Sequence, residues 1–312
     1  MMALQTNKSL RGEFRECEPM SRYTTWRVGG PADRFYRPAD LQDLSDFLRQ
    51  LPADEPVFWL GLGSNLLVRD GGIRGTVIAM QGALNKIDVL KDNVVRAEAG
   101  VTCAKVARFC SQQGLSGVEF LAGIPGTMGG ALAMNAGAFG SETWDFVARV
   151  ETLDRDGTLH LRTPGEFRIG YRSVQGPERE WFAAAYLQLQ KLLPEQQEEI
   201  RQRMKALLEK RNTTQPIGLP SCGSVFRNPE GDYAARLIES AGLKGHCIGG
   251  ACVSEKHANF IISNQAATAA DIEALIEHIT DTVLKVQGVR LEKECRIVGE
   301  PQTATGQQGD RS

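Results

Sequence analysis

The sequence of 312 residues contains no apolar run long enough to cross a bilayer. Its opening residues, MMALQTNKSLRGEFRE, lack the hydrophobic core of a signal peptide, so we expect a protein that stays in the cytoplasm. Acidic and basic residues nearly cancel, at 38 and 36, and leave a formal charge of −2. Because no overall field would draw such a chain to nucleic acid or anionic lipid, we expect neither a nucleic acid nor a membrane as a partner.

Cysteine and histidine are few and show no ligand spacing. The seven cysteines form no CxxC pair, and we expect all of them to be reduced thiols. The four histidines show no HExxH arrangement, so the sequence predicts no metal site. Two common nucleotide-binding fingerprints are also missing, because GIPGTMGG has no P-loop lysine and GLGSNLL lacks the last glycine of the Rossmann pattern.

The chain does contain helical and strand patterns in three successive regions. Apolar periodicity predicts helices over 40–51, 102–113, 195–211, 232–243 and 271–288, the last begun by a capping box of Thr268 and Asp271. Apolar runs predict strands within 57–68, 76–80, 94–100, 181–190, 259–263 and 289–298, and Asp156-Gly157 predicts a hairpin within 147–163. We therefore expect lobes at 18–81 and 82–192, a connecting helix at 193–212, a third region at 213–300 and a disordered tail at 301–312.

Two glycine-rich stretches carry little charge, GLGSN at 61–65 and GIPGTMGGALAMNAGAFG at 123–140. Glycine accepts positive φ and exposes backbone N–H groups, so such loops can form a main-chain cradle for phosphate. Tight turns packed under small side chains are the alternative, and composition alone does not separate the two. The order of elements favours two loops that face each other and hold a pyrophosphate between them.

Five ordered motifs resemble those of the UDP-N-acetylenolpyruvoylglucosamine reductase (MurB) family of flavoproteins: GLGSNLLV (61–68), GIPGTMGGALAMNAGAFG (123–140), GYRS (170–173), CGSVFRNP (222–229) and LEKECRIVGE (291–300). The resemblance spans residues 20–300 and is to the branch without an extra substrate-loop insertion. It implies an α+β protein with a two-lobed FAD-binding domain of the vanillyl-alcohol-oxidase (PCMH) type. A C-terminal α+β substrate domain follows in that family.

The resemblance also implies an activity. The family uses NADPH to reduce FAD, and hydride then passes from flavin N5 to the enolpyruvyl group of UDP-N-acetylglucosamine enolpyruvate, which gives UDP-N-acetylmuramate for peptidoglycan. We expect non-covalent FAD, because the glycine loops contain no histidine, and a monomer whose partners are the UDP-sugar and NADPH. Two alternatives stay open: another FAD-dependent oxidoreductase of the same cofactor fold, and an inactive nucleotide-sugar-binding protein.

Three residues match the catalytic residues of the family. Ser224 matches the proton donor, and a weak acid suffices there because the carbanion that it quenches is strongly basic. Arg172 matches the active-site arginine, whose two donors can bind a carboxylate. Glu294 matches the catalytic glutamate, and alternation in the last strand puts it on one face with Arg296, opposite the apolar side chains of Val289, Leu291, Cys295 and Ile297.

The resemblance implies two further sets of residues. Asn228, Arg296 and Tyr171 are expected to bind substrate, whereas Cys222 is expected to pack rather than react. The residues expected at FAD are those of the two glycine loops that offer N–H groups or short polar side chains, namely Gly61, Gly63, Ser64, Asn65, Gly123, Gly126, Thr127, Gly129, Gly130 and Asn135.

Overall fold

The computed structural model describes residues 10–302, so positions 303–312 of the predicted disordered tail lie outside the described residues. The chain forms two compact units, each assembled from separate stretches. Of the described residues, the first contains 10–16, Arg34–Ser64 and Gly75–Gly218, and the second contains Cys17–Asp33, Asn65–Arg74 and 219–302. The stretches 17–33 and 65–74 thus group with the C-terminal region, which divides the continuous lobe predicted at 18–81.

The α-helices of residues 10–302 are α1 (Leu41–Gln50), α2 (Cys103–Gln112), α3 (Met128–Ala133), α4 (Gln197–Thr214), α5 (Ala234–Ser240) and α6 (Ala269–Gln287). All five predicted helices are confirmed, and only the short α3 was not predicted. Capping side chains explain where the helices begin: the Asp40 carboxylate accepts from the N–H of Asp43 before α1. The predicted capping box of Thr268 and Asp271 begins α6, which ends at Gly288 with a φ of 71°.

The strands of residues 10–302 are β1 (Glu13–Pro19), β2 (Pro31–Arg37), β3 (Val57–Leu60), β4 (Leu66–Val68), β5 (Ile73–Ala79), β6 (Ile87–Val89), β7 (Val94–Glu98), β8 (Leu115–Ser116), β9 (Gly137–Ala138), β10 (Ser141–Glu142), β11 (Val147–Asp154), β12 (Leu159–Arg162), β13 (Arg168–Gly170), β14 (Ser173–Gln175), β15 (Glu180–Gln188), β16 (Gln190–Lys191), β17 (Cys247–Ile248), β18 (Ala251–Val253), β19 (Ile261–Ser263) and β20 (Arg296–Val298). Many are only two or three residues long, which explains why single-sequence patterns predicted fewer of them.

The first unit contains a five-stranded sheet of order β12-β11-β15-β7-β6. The predicted hairpin is confirmed as the antiparallel pair β11–β12, which turns at Gly157 with a φ of 70°. A second sheet, mainly in this unit, has the order β1-β2-β5-β3. The helix predicted to be a solvated connector is instead part of the unit, because Ile200 and Met204 of α4 are buried in its largest apolar cluster. Burial of these two side chains fixes the helix against the unit.

The second unit packs α5 and α6 with the sheet β17-β18-β19 around an apolar cluster that includes Trp26. The indole N–H of Trp26 donates to the carbonyl of Ile261 at 2.8 Å, and the hydroxyl of Ser263 donates to the carbonyl of Trp26 at 2.6 Å. These bonds tie the stretch 17–33 to β19. The parallel pair β4–β20 ties the stretch 65–74 to the end of the fold in the same way.

The predicted last strand is shorter than expected. Only Arg296–Val298 of the segment 289–298 forms a strand, paired with β4. The preceding residues lie beside a different segment, and the N–H groups of Glu294 and Cys295 both donate to the carbonyl of Val225. Two donors on one carbonyl interrupt a regular ladder, as in a β-bulge. The predicted alternation of burial nevertheless holds, with Leu291 and Cys295 buried.

The expectation that all seven cysteines are reduced is wrong in one place. Cys247 and Cys252 form a disulfide in the hairpin β17–β18, where they are directly opposed with Cα atoms 4.1 Å apart. The two-residue turn Gly249-Gly250 brings them together. A Gly-Gly pair is a hairpin signal in the sequence, whereas the spacing of the cysteines alone does not indicate this pairing. The remaining cysteines are free.

This disulfide can be tested by counting thiols. In protein denatured without reductant, we expect an alkylating reagent to modify five of the seven cysteines, because the Cys247–Cys252 pair is unavailable. Prior reduction should expose all seven. Mass spectrometry of the intact chain measures both numbers, and modification of every cysteine without reduction would contradict the pairing.

Candidate active site

The segment that carries Ser224 is held inside the second unit. The N–H of Val225 donates to the carbonyl of Asn259 at 2.9 Å, which fixes the backbone next to the serine. Gly223 precedes Ser224 with a φ of 81°, in the left-handed region that favours glycine. The turn that delivers the half-buried Ser224 hydroxyl therefore depends on that glycine.

Glu294 lies on the segment that pairs with the Ser224 segment. Its N–H donates to the carbonyl of Val225 at 2.8 Å, and the N–H of Cys295 donates to the same carbonyl at 3.3 Å. Val225 directly follows Ser224, so the serine and the glutamate are neighbours although they are far apart in sequence. The structure thus brings together two of the three predicted catalytic residues.

Asn65 holds the Glu294 segment from a second direction. Its side-chain amide donates to the carbonyl of Glu294 at 3.1 Å, and its own carbonyl accepts from the N–H of Arg296 at 3.0 Å. The sequence predicted Asn65 only as a cofactor residue. In the structure its side chain positions the backbone of a predicted catalytic residue.

Asn259 is a site residue that the sequence analysis missed. Its side-chain carbonyl accepts from the N–H of Phe226 at 2.9 Å, and its amide donates to the carbonyl of Phe226 at 2.8 Å. The side chain is almost fully buried and pairs with the backbone of the Ser224 segment as a neighbouring strand would. The only sequence signal was a polar residue at the start of the apolar run NFIIS.

Two thiols lie next to the predicted catalytic residues in the sequence, Cys222 two residues before Ser224 and Cys295 directly after Glu294. Cys222 and Cys295 are both buried in the apolar cluster of the second unit. Burial raises the pKa of the Cys222 thiol well above its ordinary value, and a hydrogen bond with the thiol of Cys295 raises the pKa further. The burial of Cys222 confirms the prediction that it packs in the interior, and a protonated thiol is a poor nucleophile.

The predicted substrate residues of this unit are placed differently from each other. Asn228 is exposed, and its side-chain carbonyl accepts from the N–H of Ala234 at 3.1 Å, at the first residue of α5. Arg296 is exposed at the beginning of β20. Both residues are exposed to solvent, and a role of either one in substrate binding stays a prediction.

Arg172 belongs to the first unit, in the turn of the hairpin β13–β14. Its guanidinium donates to the carbonyl of Gly137 at 2.9 Å and to that of Asn135 at 3.5 Å. The guanidinium also lies 5.4 Å from the ring centroid of Tyr171, whose side chain is exposed. The arginine is therefore anchored to the backbone of the second glycine-rich stretch.

The two glycine-rich loops face each other within the first unit, as the sequence predicted. A Cβ built on Gly61 would lie 2.6 Å from the hydroxyl oxygen of Thr127, and one built on Gly126 would lie 3.9 Å from that of Ser64. Gly63 has a φ of 67°. A side chain at position 61 would push the loops apart, so the glycine is required for their close approach.

The residues of these loops fit FAD. Bare main chain and the hydroxyls of Ser64 and Thr127 form a neutral set of donors, which suits a diphosphate. The N–H groups of Gly126 and Gly129 donate to the carbonyls of Ile124 and Ala99, so these two glycines would contribute through close approach rather than as donors. Within the described residues, no group of His, Cys, Asp and Glu side chains is arranged to hold a metal ion. Nor does any helix in residues 10–302 have the length and apolar character of a membrane span.

Two regions of the chain match known domain families. Residues 32–161 match the family described as an FAD binding domain, and residues 215–298 match the C-terminal domain of UDP-N-acetylenolpyruvoylglucosamine reductase. The chain is therefore a flavoprotein with an FAD-binding domain followed by a second domain. The predicted α+β fold class and the predicted FAD cofactor are confirmed.

Whole-chain relatives define the family. The chain is 63% identical to the UDP-N-acetylenolpyruvoylglucosamine reductase of Alkalilimnicola ehrlichii, over 94% of this chain and 97% of the relative. It is 60% identical to the enzyme of that name from Methylococcus capsulatus, over 96% and 98%. The crystal structure of the Thermus caldophilus reductase superposes with a TM-score of 0.78 at 33% identity, over 92% of this chain and 99% of that one. The chain belongs to the UDP-N-acetylenolpyruvoylglucosamine reductase (MurB) family of oxidoreductases.

The role of Asn259 can be tested by its removal. The change Asn259→Ala leaves the N–H and the carbonyl of Phe226 buried without their side-chain partner, and we expect it to lower the free energy of unfolding by about 1–3 kcal/mol. Denaturant titration measures this change. The exposed Asn264 is the matched control, since Asn264→Ala should cost about 0.5 kcal/mol or less. Equal losses in the two variants would contradict the role of Asn259.

Proposed function

We propose that the protein reduces UDP-N-acetylglucosamine enolpyruvate to UDP-N-acetylmuramate for peptidoglycan synthesis, with NADPH as the reductant and non-covalently held FAD as the cofactor. The family membership and the near-complete coverage of its relatives support this proposal. We further propose that it acts in the cytoplasm as a monomer. When bound, FAD supplies the hydride that is added to the terminal vinyl carbon of the substrate.

The observation that carries the proposal is the pairing of the Ser224 and Glu294 segments through the carbonyl of Val225. Addition of hydride to the vinyl carbon leaves negative charge on the neighbouring carbon, which must then gain a proton. Ser224 donates that proton, because a hydroxyl is acidic enough to protonate a strongly basic carbanion when it is held within hydrogen-bond reach. Glu294 lies beside it and orients the reacting group or assists the protonation.

Arg172 has a different role in the proposal. Its guanidinium binds the substrate carboxylate, onto which the negative charge spreads. Preorganised positive charge of this kind stabilises a transition state more than a ground state. Asn228, Arg296 and Tyr171 bind the remainder of the substrate. A nucleotide-sugar-binding protein without catalysis would have no use for a proton donor next to a carboxylate.

The first test is whether the protein carries and uses a flavin. We expect the purified protein to be yellow, to lose its visible absorption when NADPH is added without oxygen, and to regain it when the enolpyruvyl substrate follows. Spectrophotometry records all three states. A colourless protein would favour the binding-only alternative. Recovery of colour with the carbonyl compound that corresponds to a small alcohol, but not with the UDP-sugar, would favour another oxidoreductase.

The second test separates the two half-reactions in Ser224→Ala. Reduction of the flavin by NADPH should proceed at nearly the wild-type rate, whereas reoxidation by substrate should slow by about 10²–10⁴-fold, the usual contribution of a positioned acid. Stopped-flow absorption measures both rates. Ser221→Ala is the control, since this serine lies in the same segment and its hydroxyl donates to the carbonyl of its near neighbour Leu219 at 3.4 Å. Equal slowing of both half-reactions in Ser224→Ala would count against its role.

A further inference from the structure

The amide nitrogen and the oxygen of the Asn135 side chain both make hydrogen bonds within the protein. The residue is 1% exposed, its amide donates to the Glu142 carboxylate at 2.7 Å and to the carbonyl of Gly170 at 3.3 Å, and its oxygen accepts from the N–H of Trp144 at 3.2 Å. The sequence predicted Asn135 as a residue that contacts FAD. Its side chain joins the second glycine-rich stretch to Gly170, the last residue of β13, and contact of the residue with FAD stays a prediction.

Glu142 is itself fixed at two points. Its N–H donates to the Asp145 carboxylate at 3.0 Å, and its own carboxylate accepts from the N–H of Asp145 in a capping box. As a residue of β10 it is also paired with Gly137 of β9. The Glu142 carboxylate, which accepts from the Asn135 amide, is therefore also held in place by contacts that do not involve Asn135. A hydrogen bond from an amide to an ionised carboxylate is stronger than one between neutral groups.

The contacts of Arg172 return to the same residues. Its guanidinium donates to the carbonyl of Gly137, the partner of Glu142, and to the carbonyl of Asn135. Arg172 and Asn135 both have a positive φ, 52° and 41°, which a side chain adopts only where its surroundings hold it. These contacts form a hydrogen-bonded ring of Asn135, Gly137, Glu142, Gly170 and Arg172. The ring holds both the hairpin backbone just before Arg172 and the guanidinium of Arg172.

We propose that Asn135 and Glu142 are positioning residues for Arg172. They fix the base of the β13–β14 hairpin and the carbonyls that receive the guanidinium, and so hold Arg172 in the position from which it acts on the substrate carboxylate. The inference rests on the proposed role of Arg172 and adds two residues to it. A shift of about 1 Å in a positioning group can slow a reaction 10²-fold, so loss of this ring should slow the reaction with substrate.

The variants Glu142→Ala and Asn135→Asp test the proposal. In Glu142→Ala, the acceptor for the Asn135 amide is lost. In Asn135→Asp, the shape of the side chain and the oxygen that accepts from the N–H of Trp144 are kept, whereas the amide that donates to Glu142 is lost. In both, we expect FAD content and flavin reduction by NADPH to stay near wild type and reoxidation by substrate to slow by about 10–100-fold. Glu142→Gln should retain most of the activity, because its amide oxygen can still accept from Asn135. Glu195→Ala, at an exposed position of the same unit, is the control.

A double-mutant cycle shows whether Glu142 acts through Arg172. Glu142→Ala should slow reoxidation strongly in the wild-type background and by no more than about 2-fold in the Arg172→Ala background. The positioning role would be overturned if the double variant were slower by the full product of the two single rate losses. It would also be overturned by a matching loss of FAD from both positioning variants, or by a Glu142→Gln variant as slow as Glu142→Ala. If Arg172→Ala itself leaves reoxidation unchanged, the role of the arginine fails first and the positioning role fails with it.

Discussion

The candidate site depends on one backbone carbonyl. The carbonyl of Val225 accepts from the N–H groups of both Glu294 and Cys295, and this shared acceptor places Glu294 beside Ser224. Interior hydrogen bonds of this kind are costly to leave unmade, since a buried donor without a partner loses its hydration with no compensation. The same two-donor arrangement ends the pairing with the Ser224 segment and lets the chain continue into β20. One local irregularity therefore both terminates a ladder and brings together the backbone segments of two predicted catalytic residues.

Amide side chains support the segments of the predicted catalytic residues in each unit. In the second unit, Asn259 pairs with the backbone of Phe226 and Asn65 holds the carbonyl of Glu294. In the first unit, Asn135 links Glu142 to the hairpin of Arg172. An amide offers a donor and an acceptor at once, so it can replace a missing strand or close a ring of contacts. Such support keeps a catalytic group within the narrow range of positions that reaction requires.

Much of this was predictable because it rests on local patterns. Helical periodicity and the Thr268–Asp271 capping box gave the helices, and the motifs around Ser224, Arg172 and Glu294 gave the family. The parts that could not be predicted depend on contacts between distant segments. Nothing local in NFIIS shows that Asn259 faces Phe226, and a strand pattern over 289–298 cannot reveal that Glu294 and Cys295 share an acceptor. The burial of Ile200 could not be predicted for a similar reason. Which side chains of a mixed-charge helix are buried depends on the apolar cluster that the helix packs against, and the sequence of the helix does not show that cluster.

The central claim is that Ser224 and Glu294 act as a unit. A kinetic double-mutant cycle of Ser224→Ala and Glu294→Gln, read as the rate at which substrate reoxidises the reduced flavin, measures their coupling directly. Groups that work on the same proton transfer are not additive, so the account predicts that the double variant is within about 3-fold of the slower single variant. Rates that fall by the full product of the two single effects would contradict it.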